Sequence, residues 1–159
     1  GTDLHIMGIF IGSGIAMGVS AIGSGIGSGQ TAGGAVGGLA KWPKTYGTTL
    51  RSMLIGQAVC DTPAIFGMLV AFIMMFALPE LEGGILGFAK VFGAAIAVGF
   101  GGIGPGIGSG MTAEQGCAAT SARPDKDGLL LRTMLIGQAV SQSTAIYALI
   151  IALALLYVV

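Results

Sequence analysis

One acidic residue, Asp61, lies inside a long apolar stretch of this 159-residue sequence. The stretch covers residues 56–78 (GQAVCDTPAIFGMLVAFIMMFAL), and about 20 apolar residues are enough to cross a bilayer as a helix. A charged side chain at the centre of a membrane helix costs about 2.5–3.5 kcal/mol on insertion scales, so such a residue is by default a functional-site hypothesis. We therefore predict that Asp61 reversibly binds a proton or a small cation.

Polar side chains near Asp61 could share in binding that ion. Gln57 precedes Asp61 by four residues and so lies on the same helical face, and Thr62 follows it directly. Hydroxyl groups at comparable depth on other predicted helices belong to Ser28 and Ser109. The predicted ion-binding residues are Asp61, Thr62, Gln57, Ser28 and Ser109. The plainer interpretation is that Gln57 or Thr62 satisfies Asp61, which then serves helix association alone.

The chain is one unit copied twice. Residues 51–59 (RSMLIGQAV) recur 81 positions later as residues 132–140 (RTMLIGQAV), and the same offset relates the glycine runs GSGIGSG and GPGIGSG. The residue that corresponds to Asp61 is Gln142, which cannot ionise. We predict that Gln142 is a silent counterpart of the acid, so that two units carry one ion site between them.

The composition is that of a membrane protein. Hydrophobic residues make up 53% of the sequence and charged residues 9%, whereas soluble domains carry about 25% charged residues. The net charge is +0, which gives no reason to expect a nucleic-acid partner. Two well-separated cysteines make a disulfide framework or a metal cluster unexpected, and we expect neither a cofactor nor catalytic residues. The first residues lack a basic region, so no signal peptide is predicted.

The predicted fold is an all-α membrane protein with four transmembrane helices in two tandem hairpins. The first hairpin is residues 1–80 and the second residues 81–159. Their helices are expected at about residues 4–40, 46–78, 85–121 and 129–159, because turn residues interrupt the apolar sequence between them. Pro63 is expected to kink the second helix beside Asp61. Lysine and arginine flank both hairpin loops, so we expect cytoplasmic loops and both termini on the opposite side.

Glycines recur on the first and third helices at spacings that share a helical face. A face without side chains lets neighbouring membrane helices approach closely. A phosphate-binding loop is not favoured, because no strand precedes these glycines and no lysine follows them as such loops need. We predict helix packing by Gly23, Gly25, Gly27, Gly29, Gly104, Gly106, Gly108 and Gly110. Helices 1 and 3 would then line the inner wall of a ring, with helices 2 and 4 outside.

These features together resemble a known family. A glycine-rich helix, a loop of the form Lys/Arg-x-Pro and a helix reading R-[ST]-M-L-x-G-Q-A-V-x-[DE]-[ST]-x-x-I-[FY] resemble the c subunit (proteolipid) of rotary ATP synthases. The duplicated form resembles the double-hairpin rotor subunits of vacuolar-type ATPases and of some bacterial F-type enzymes. The resemblance implies a non-catalytic subunit of a rotor ring, in a bacterial plasma membrane, whose rotation is coupled to ion translocation and to ATP synthesis or hydrolysis.

The resemblance also implies partners. A stator a subunit would supply an arginine that releases the ion from Asp61, and the ring could include single-hairpin c subunits beside this chain. The hairpin loops would contact the central stalk through Lys41, Trp42, Pro43, Ala122, Arg123 and Pro124.

The resemblance favours protons over sodium as the coupling ion. Sodium-dependent relatives carry glutamine where this sequence has Ser28 and Ser109, and tyrosine where it has Phe66. Thr62 and Gln57 keep some sodium-like character, so sodium remains the alternative. Two other function classes remain open, namely a passive four-helix channel and a purely structural proteolipid.

Overall fold

The computed structural model describes residues 2–77 and 84–158, and they form helices joined by short turns. Four helical segments are long and apolar enough to cross a membrane: Asp3–Lys41, Pro43–Ala77, Ile85–Ala122 and Pro124–Tyr157. They are joined in sequence as two hairpins, each closed by a short loop that begins with a proline turn. The predicted fold class, four transmembrane helices in two hairpins, is confirmed. The predicted boundary between residues 80 and 81 lies outside the described residues.

The helix bounds follow the sequence closely at the hairpin loops. Helix α1 is Thr2–Lys41, α2 is Tyr46–Cys60, α3 is Thr62–Phe72, α4 is Ile85–Ala122 and α5 is Asp127–Tyr157. Short 3-10 turns, Pro43–Thr45 and Pro124–Lys126, precede α2 and α5, because proline fixes the backbone angle needed at the first position of a helix. Helix α5 therefore begins at Asp127, two residues before the predicted start. Leu78 and Val159, the predicted ends of two helices, lie outside the described residues.

The second membrane span is broken at Asp61, where a continuous but kinked helix was predicted. Pro63 has no backbone N–H, so it cannot donate the helical hydrogen bond to the carbonyl of Val59. Helix α2 ends at Cys60, Asp61 occupies a turn, and α3 starts at Thr62. The interruption is local, because the N–H groups of Asp61 and Ile65 still donate to the carbonyls of Gln57 and Asp61. A π-helical turn, Ile73–Ala77, continues α3 and was not expected from the sequence.

The two hairpins pack together along α1 and α4, which make the most extensive contact between helices. Gly27 faces the backbone of Gly106, and Gly110 faces the backbone of Gly27, so closely that a side chain at either position would collide with the opposite helix. Gly23 has the same relation to the backbone of Ile103. The close approach predicted for the glycines therefore holds along this seam.

The other membrane helices lie outside the seam. Helices α2 and α3 contact both α1 and α4, whereas α5 packs mainly against α4. An apolar cluster that includes Val70, Met74, Val91, Val98 and Leu156 fills the half of the bundle farther from the hairpin loops. Asp61 is thereby placed near mid-span, on the outer layer of the bundle.

Candidate functional site

Asp61 sits at the break between α2 and α3 and is exposed at the surface of the single chain. The hydroxyl of Ser28, on α1, donates a hydrogen bond to Asp61 Oδ1 at 2.9 Å. The break also frees backbone N–H groups at the start of α3, and that of Ala64 donates to Ser24 Oγ at 3.2 Å. Helix α1 therefore holds both the carboxyl group and the turn that presents it.

Gln57 lies one turn before Asp61 and binds the same part of α1. Its side-chain amide Nε2 donates to the backbone carbonyl of Ser28 at 3.3 Å. Thr62 is half-buried next to Asp61, and among the described residues it makes no hydrogen bond to the Asp61 carboxyl. The structure thus joins Asp61, Ser28 and Gln57 through direct contacts, with Thr62 adjacent.

Gln142 occupies the corresponding position in the second repeat, but it is buried between the hairpins with 8% of its surface exposed. Its Nε2 donates to Ser109 Oγ at 3.0 Å, and Ser109 in turn donates to the carbonyl of Pro105 at 2.8 Å. Ser109, predicted with the ion-binding residues, therefore lies with Gln142 and repeats the position that Ser28 has beside Asp61.

Gln142 also completes the broken helix of the first repeat. Its Nε2 donates at 3.0 Å to the carbonyl of Val59, the group that Pro63 leaves without a helical donor. The bond is partly buried, and a carbonyl removed from water without a donor is costly, so the glutamine replaces the donor that Pro63 lacks. The second repeat has Thr144 where the first has Pro63, and α5 is continuous there.

Gln138, the counterpart of Gln57, extends this polar contact between the hairpins. It is fully buried, and its Nε2 donates to the carbonyls of Gly56 at 3.1 Å and Ser109 at 3.2 Å. The thiol of Cys60 lies beside it, 3.6 Å from both Thr31 Oγ1 and Ser109 Oγ. The sequence analysis did not include Gln138, Cys60 or Thr31 in a site. Gln138 could have been found from the sequence, because it is the counterpart of Gln57 in the second repeat.

The hairpin loops present exposed polar residues. Lys41 Nζ lies 5.9 Å from the centre of the exposed Trp42 ring, and Pro43 begins the following turn. In the second loop, after Ala122 and before Pro124, the Arg123 guanidinium donates to both Asp125 oxygens at 3.1 and 3.0 Å.

Two ion pairs fix the second loop. The hydrogen bond from Arg123 holds the pKa of Asp125 below its usual value, and both side chains are exposed. A second pair joins Arg51 of α2 to Asp127 of α5, so the hairpins are linked beside their loops as well as at mid-span.

A comparison with protein families matches both repeats. The model of the family of ATP synthase c subunits matches residues 11–74 and again residues 92–155. The two matches cover most of the chain, and they are offset by the same interval as the internal repeat. The chain belongs to the ATP synthase c-subunit family. It is a duplicated form of this subunit, with one family unit in each hairpin.

Curated relatives of the family align with part of this chain and with most of their own length. The ATP synthase c subunit of Alkaliphilus oremlandii is 49% identical over 69 residues, which are 43% of this chain and 77% of the relative. The protein of the same name from Petrotoga mobilis is 40% identical over 82 residues, covering 48% and 85%. The chloroplastic ATP synthase c subunit of Ostreococcus tauri is 41% identical over 69 residues, covering 43% and 84%. This chain is therefore an integral membrane protein of a family that forms oligomeric rings within ATP synthase.

Proposed function

We propose that this chain is a rotor-ring subunit in which Asp61 reversibly binds a proton, and that ring rotation couples proton movement to ATP synthesis or hydrolysis. The observation that carries the proposal is the placement of Asp61. It is a carboxyl group within a membrane span, exposed at the surface of the chain, and it is held by a hydroxyl group of its own hairpin. An acid so placed can exchange its ion with a neighbouring protein.

The contacts of Asp61 support a proton over sodium. A proton needs one carboxyl oxygen, whereas hard cations are bound by several oxygens at once. Ser28 Oγ is the side-chain oxygen in contact with the carboxyl group, and Gln57 presents an amide nitrogen to α1. Sodium is the second candidate, because Thr62 directly follows Asp61 and Gln57 lies one turn before it, and both side chains carry an oxygen.

The buried Gln142 supports one ion per chain. Gln142 cannot ionise and is held by Ser109 of its own hairpin and by Val59 of the other, so the second repeat acts as a spacer. Fewer ions then cross per turn of the ring, and each ATP can drive a steeper gradient. We infer that the subunit serves an ion pump driven by ATP hydrolysis in preference to a synthase.

The partners follow from the same proposal. An a subunit with an arginine would release the ion from Asp61, and the two hairpin loops, on the cytoplasmic side of a bacterial plasma membrane, would contact the central stalk. Exposed Lys41, Trp42 and Arg123 are available for that contact. The ring could include single-hairpin c subunits, since the curated relatives match one repeat each. A vacuolar-type complex is the alternative setting.

The other function classes receive less support. A passive channel needs a polar surface wide enough to hold water, and the α1–α4 seam is closed by glycine backbones. A purely structural proteolipid would have its acid enclosed within the protein, whereas Asp61 is exposed and accepts one hydrogen bond, from Ser28.

Carbodiimide labelling of membranes that contain the assembled complex tests the proposal. A hydrophobic carbodiimide reacts with a protonated carboxyl group in an apolar setting, so we expect modification at Asp61 and a loss of labelling in Asp61→Asn. Asp3→Asn, the same change near a helix end, should label normally. If sodium ions protected Asp61 from labelling, sodium would take the place of the proton as the proposed coupling ion. Labelling elsewhere in the chain would overturn the proposal.

A further inference from the structure

The glutamine one turn before the acid position makes the same contact in both repeats. Gln57 Nε2 donates to the backbone carbonyl of Ser28 at 3.3 Å, and Gln138 Nε2 donates to the backbone carbonyl of Ser109 at 3.2 Å. Both residues of the second pair lie 81 positions after those of the first. The contact is therefore kept in the repeat that has no acid, so an ion is not needed to form it.

The serine that each glutamine holds is also the residue that faces the acid position. Ser28 Oγ donates to Asp61 Oδ1 at 2.9 Å, and Ser109 Oγ accepts from Gln142 Nε2 at 3.0 Å. Gln57 and Asp61 lie four residues apart and so share one face of the second span. That face therefore binds a single residue of α1 twice, once through its backbone and once through its side chain.

The hydroxyl group of a serine inside a helix has a second acceptor available, which is the carbonyl four residues earlier. Ser109 uses it, with its Oγ 2.8 Å from the carbonyl of Pro105. Ser28 donates to Asp61 instead. Which acceptor a serine takes here depends on how α1 lies against the second span, and the Gln57 amide contacts α1 at Ser28 itself. The Gln57 contact thus favours the hydrogen bond to the acid.

The helices around Asp61 supply no other charge. Aspartate, glutamate, lysine, arginine and histidine, Asp61 apart, are absent from residues 20–32 of α1, 52–70 of the second span, 100–113 of α4 and 134–146 of α5. The neighbouring thiol of Cys60 is fully buried. Hydrogen bonds therefore decide how readily the carboxyl group holds its ion, and the described residues give it one side-chain donor, Ser28.

We propose that Gln57 is a positioning residue, whose amide holds Ser28 so that the serine hydroxyl group reaches Asp61. Gln57 then acts on the acid through Ser28 and is not a ligand of the ion. This inference rests on the proposed function, and it changes the role of one residue in the predicted ion-binding set.

The pH profile of carbodiimide labelling at Asp61, measured in the assembled complex, tests this assignment. Ser28→Ala removes the hydroxyl group and should displace the profile from that of the parent. Gln57→Met removes the amide at similar size, and it should displace the profile in the same direction and by no more than Ser28→Ala does. Gln115→Met, which changes an exposed glutamine of α4, should keep the profile of the parent. A parent-like profile for Gln57→Met would overturn the proposal.

The double variant separates positioning from direct binding of the ion. In the Ser28→Ala background no hydroxyl group remains to be positioned, so the addition of Gln57→Met should displace the profile no further. Such non-additivity is expected when two residues act through one interaction. A further displacement, as large as the one that Gln57→Met causes alone, would mean that Gln57 binds the ion directly and would contradict the assignment.

The matched contact in the second repeat separates positioning from a loss of stability. Gln138→Met should lower the thermal stability of the chain more than Gln57→Met, because Gln138 is fully buried and also donates to the carbonyl of Gly56. It should nevertheless displace the labelling profile of Asp61 less. An equal displacement would attribute the effect to stability and overturn the proposal.

Failure of this assignment differs from failure of the proposed function. If the parent chain is labelled at Asp61 while Gln57→Met keeps the profile of the parent, the positioning role is wrong and the rotor proposal stands. If the parent chain is not labelled at Asp61, both are wrong.

Discussion

At the scale of single residues, Gln142 does more than replace the acid with a side chain that cannot ionise. Pro63 removes the i+4 helical donor of the Val59 carbonyl, and Gln142 supplies a donor from the other hairpin at 3.0 Å. A carboxylate at position 142 could not donate in this way. The contact gives a physical reason for two of the differences between the repeats, proline at position 63 and glutamine at position 142.

Removal of the Gln142 amide should be costly only while Pro63 is present. Gln142→Met keeps the size of the side chain and removes its donors, so we expect a loss of about 1–3 kcal/mol from an unsatisfied buried carbonyl. In a Pro63→Ala background, the introduced alanine supplies the helical N–H to Val59, and the same substitution should cost less. Thermal unfolding of the four purified variants completes the cycle. Equal losses in both backgrounds would contradict the role assigned to Gln142.

The exposed loop pair gives a prediction about titration. Asp125 has a lowered pKa because Arg123 donates hydrogen bonds to it, with a smaller contribution from the charge of Lys126. A lowered pKa means that the pair is fully formed at neutral pH and is lost as the pH falls through that value. Arg123→Gln should therefore raise the titration midpoint of the Asp125 carboxyl towards its usual value, as followed by carbon NMR. Lys126→Gln should raise it less, and equal rises would argue against the hydrogen bond as the main cause.

At the scale of elements, the break in the second span positions the site. Helix α1 holds the break through Ser24 and the acid through Ser28, while α4 and α5 hold its other side through Ser109 and Gln142. The α1–α4 seam fixes the distance between these two sets of contacts. Close packing of glycines along that seam is therefore a requirement of the site.

Two neighbouring glycines of α1 should respond in opposite ways within the single chain. Gly27→Val would force a side chain into the backbone of Gly106, and overpacking of this kind typically costs about 1–3 kcal/mol or more. Gly29→Val meets nothing within 4 Å in the single chain and should leave its stability close to that of the parent. Thermal unfolding of chains separated in detergent compares the two. A larger loss for Gly29→Val would mean that the faces are wrongly assigned.

The elements and the acid could be predicted from the sequence because their signals are local. Apolar length and turn residues gave four helices, and the offset of 81 residues gave the two hairpins. The 81-residue offset relates Ser109 and Gln142 to Ser28 and Asp61, but the burial of Gln142 could not be predicted, because the repeat alone does not say which hairpin face is buried. The contacts that satisfy the interruption at Asp61, from Ser24 and Gln142, could not be predicted either, because they span 40 and 83 positions.

At the scale of the whole molecule, the proposal assigns one ion to two hairpins. Exhaustive carbodiimide treatment of the assembled complex should add one label per chain, at Asp61, even though the chain contains two family units. Mass spectrometry of the intact chain measures this directly, with Asp61→Asn as the unlabelled control. A second label within the membrane spans would show that the second repeat also exchanges ions.

ATP-driven ion transport by the complex in vesicles is the most direct test of the central proposal. Asp61→Asn keeps the size of the side chain and removes its ability to release an ion, so transport should be lost while the complex still assembles. Asp3→Asn should transport at the parent rate. Transport by Asp61→Asn at a rate close to the parent's would contradict the account.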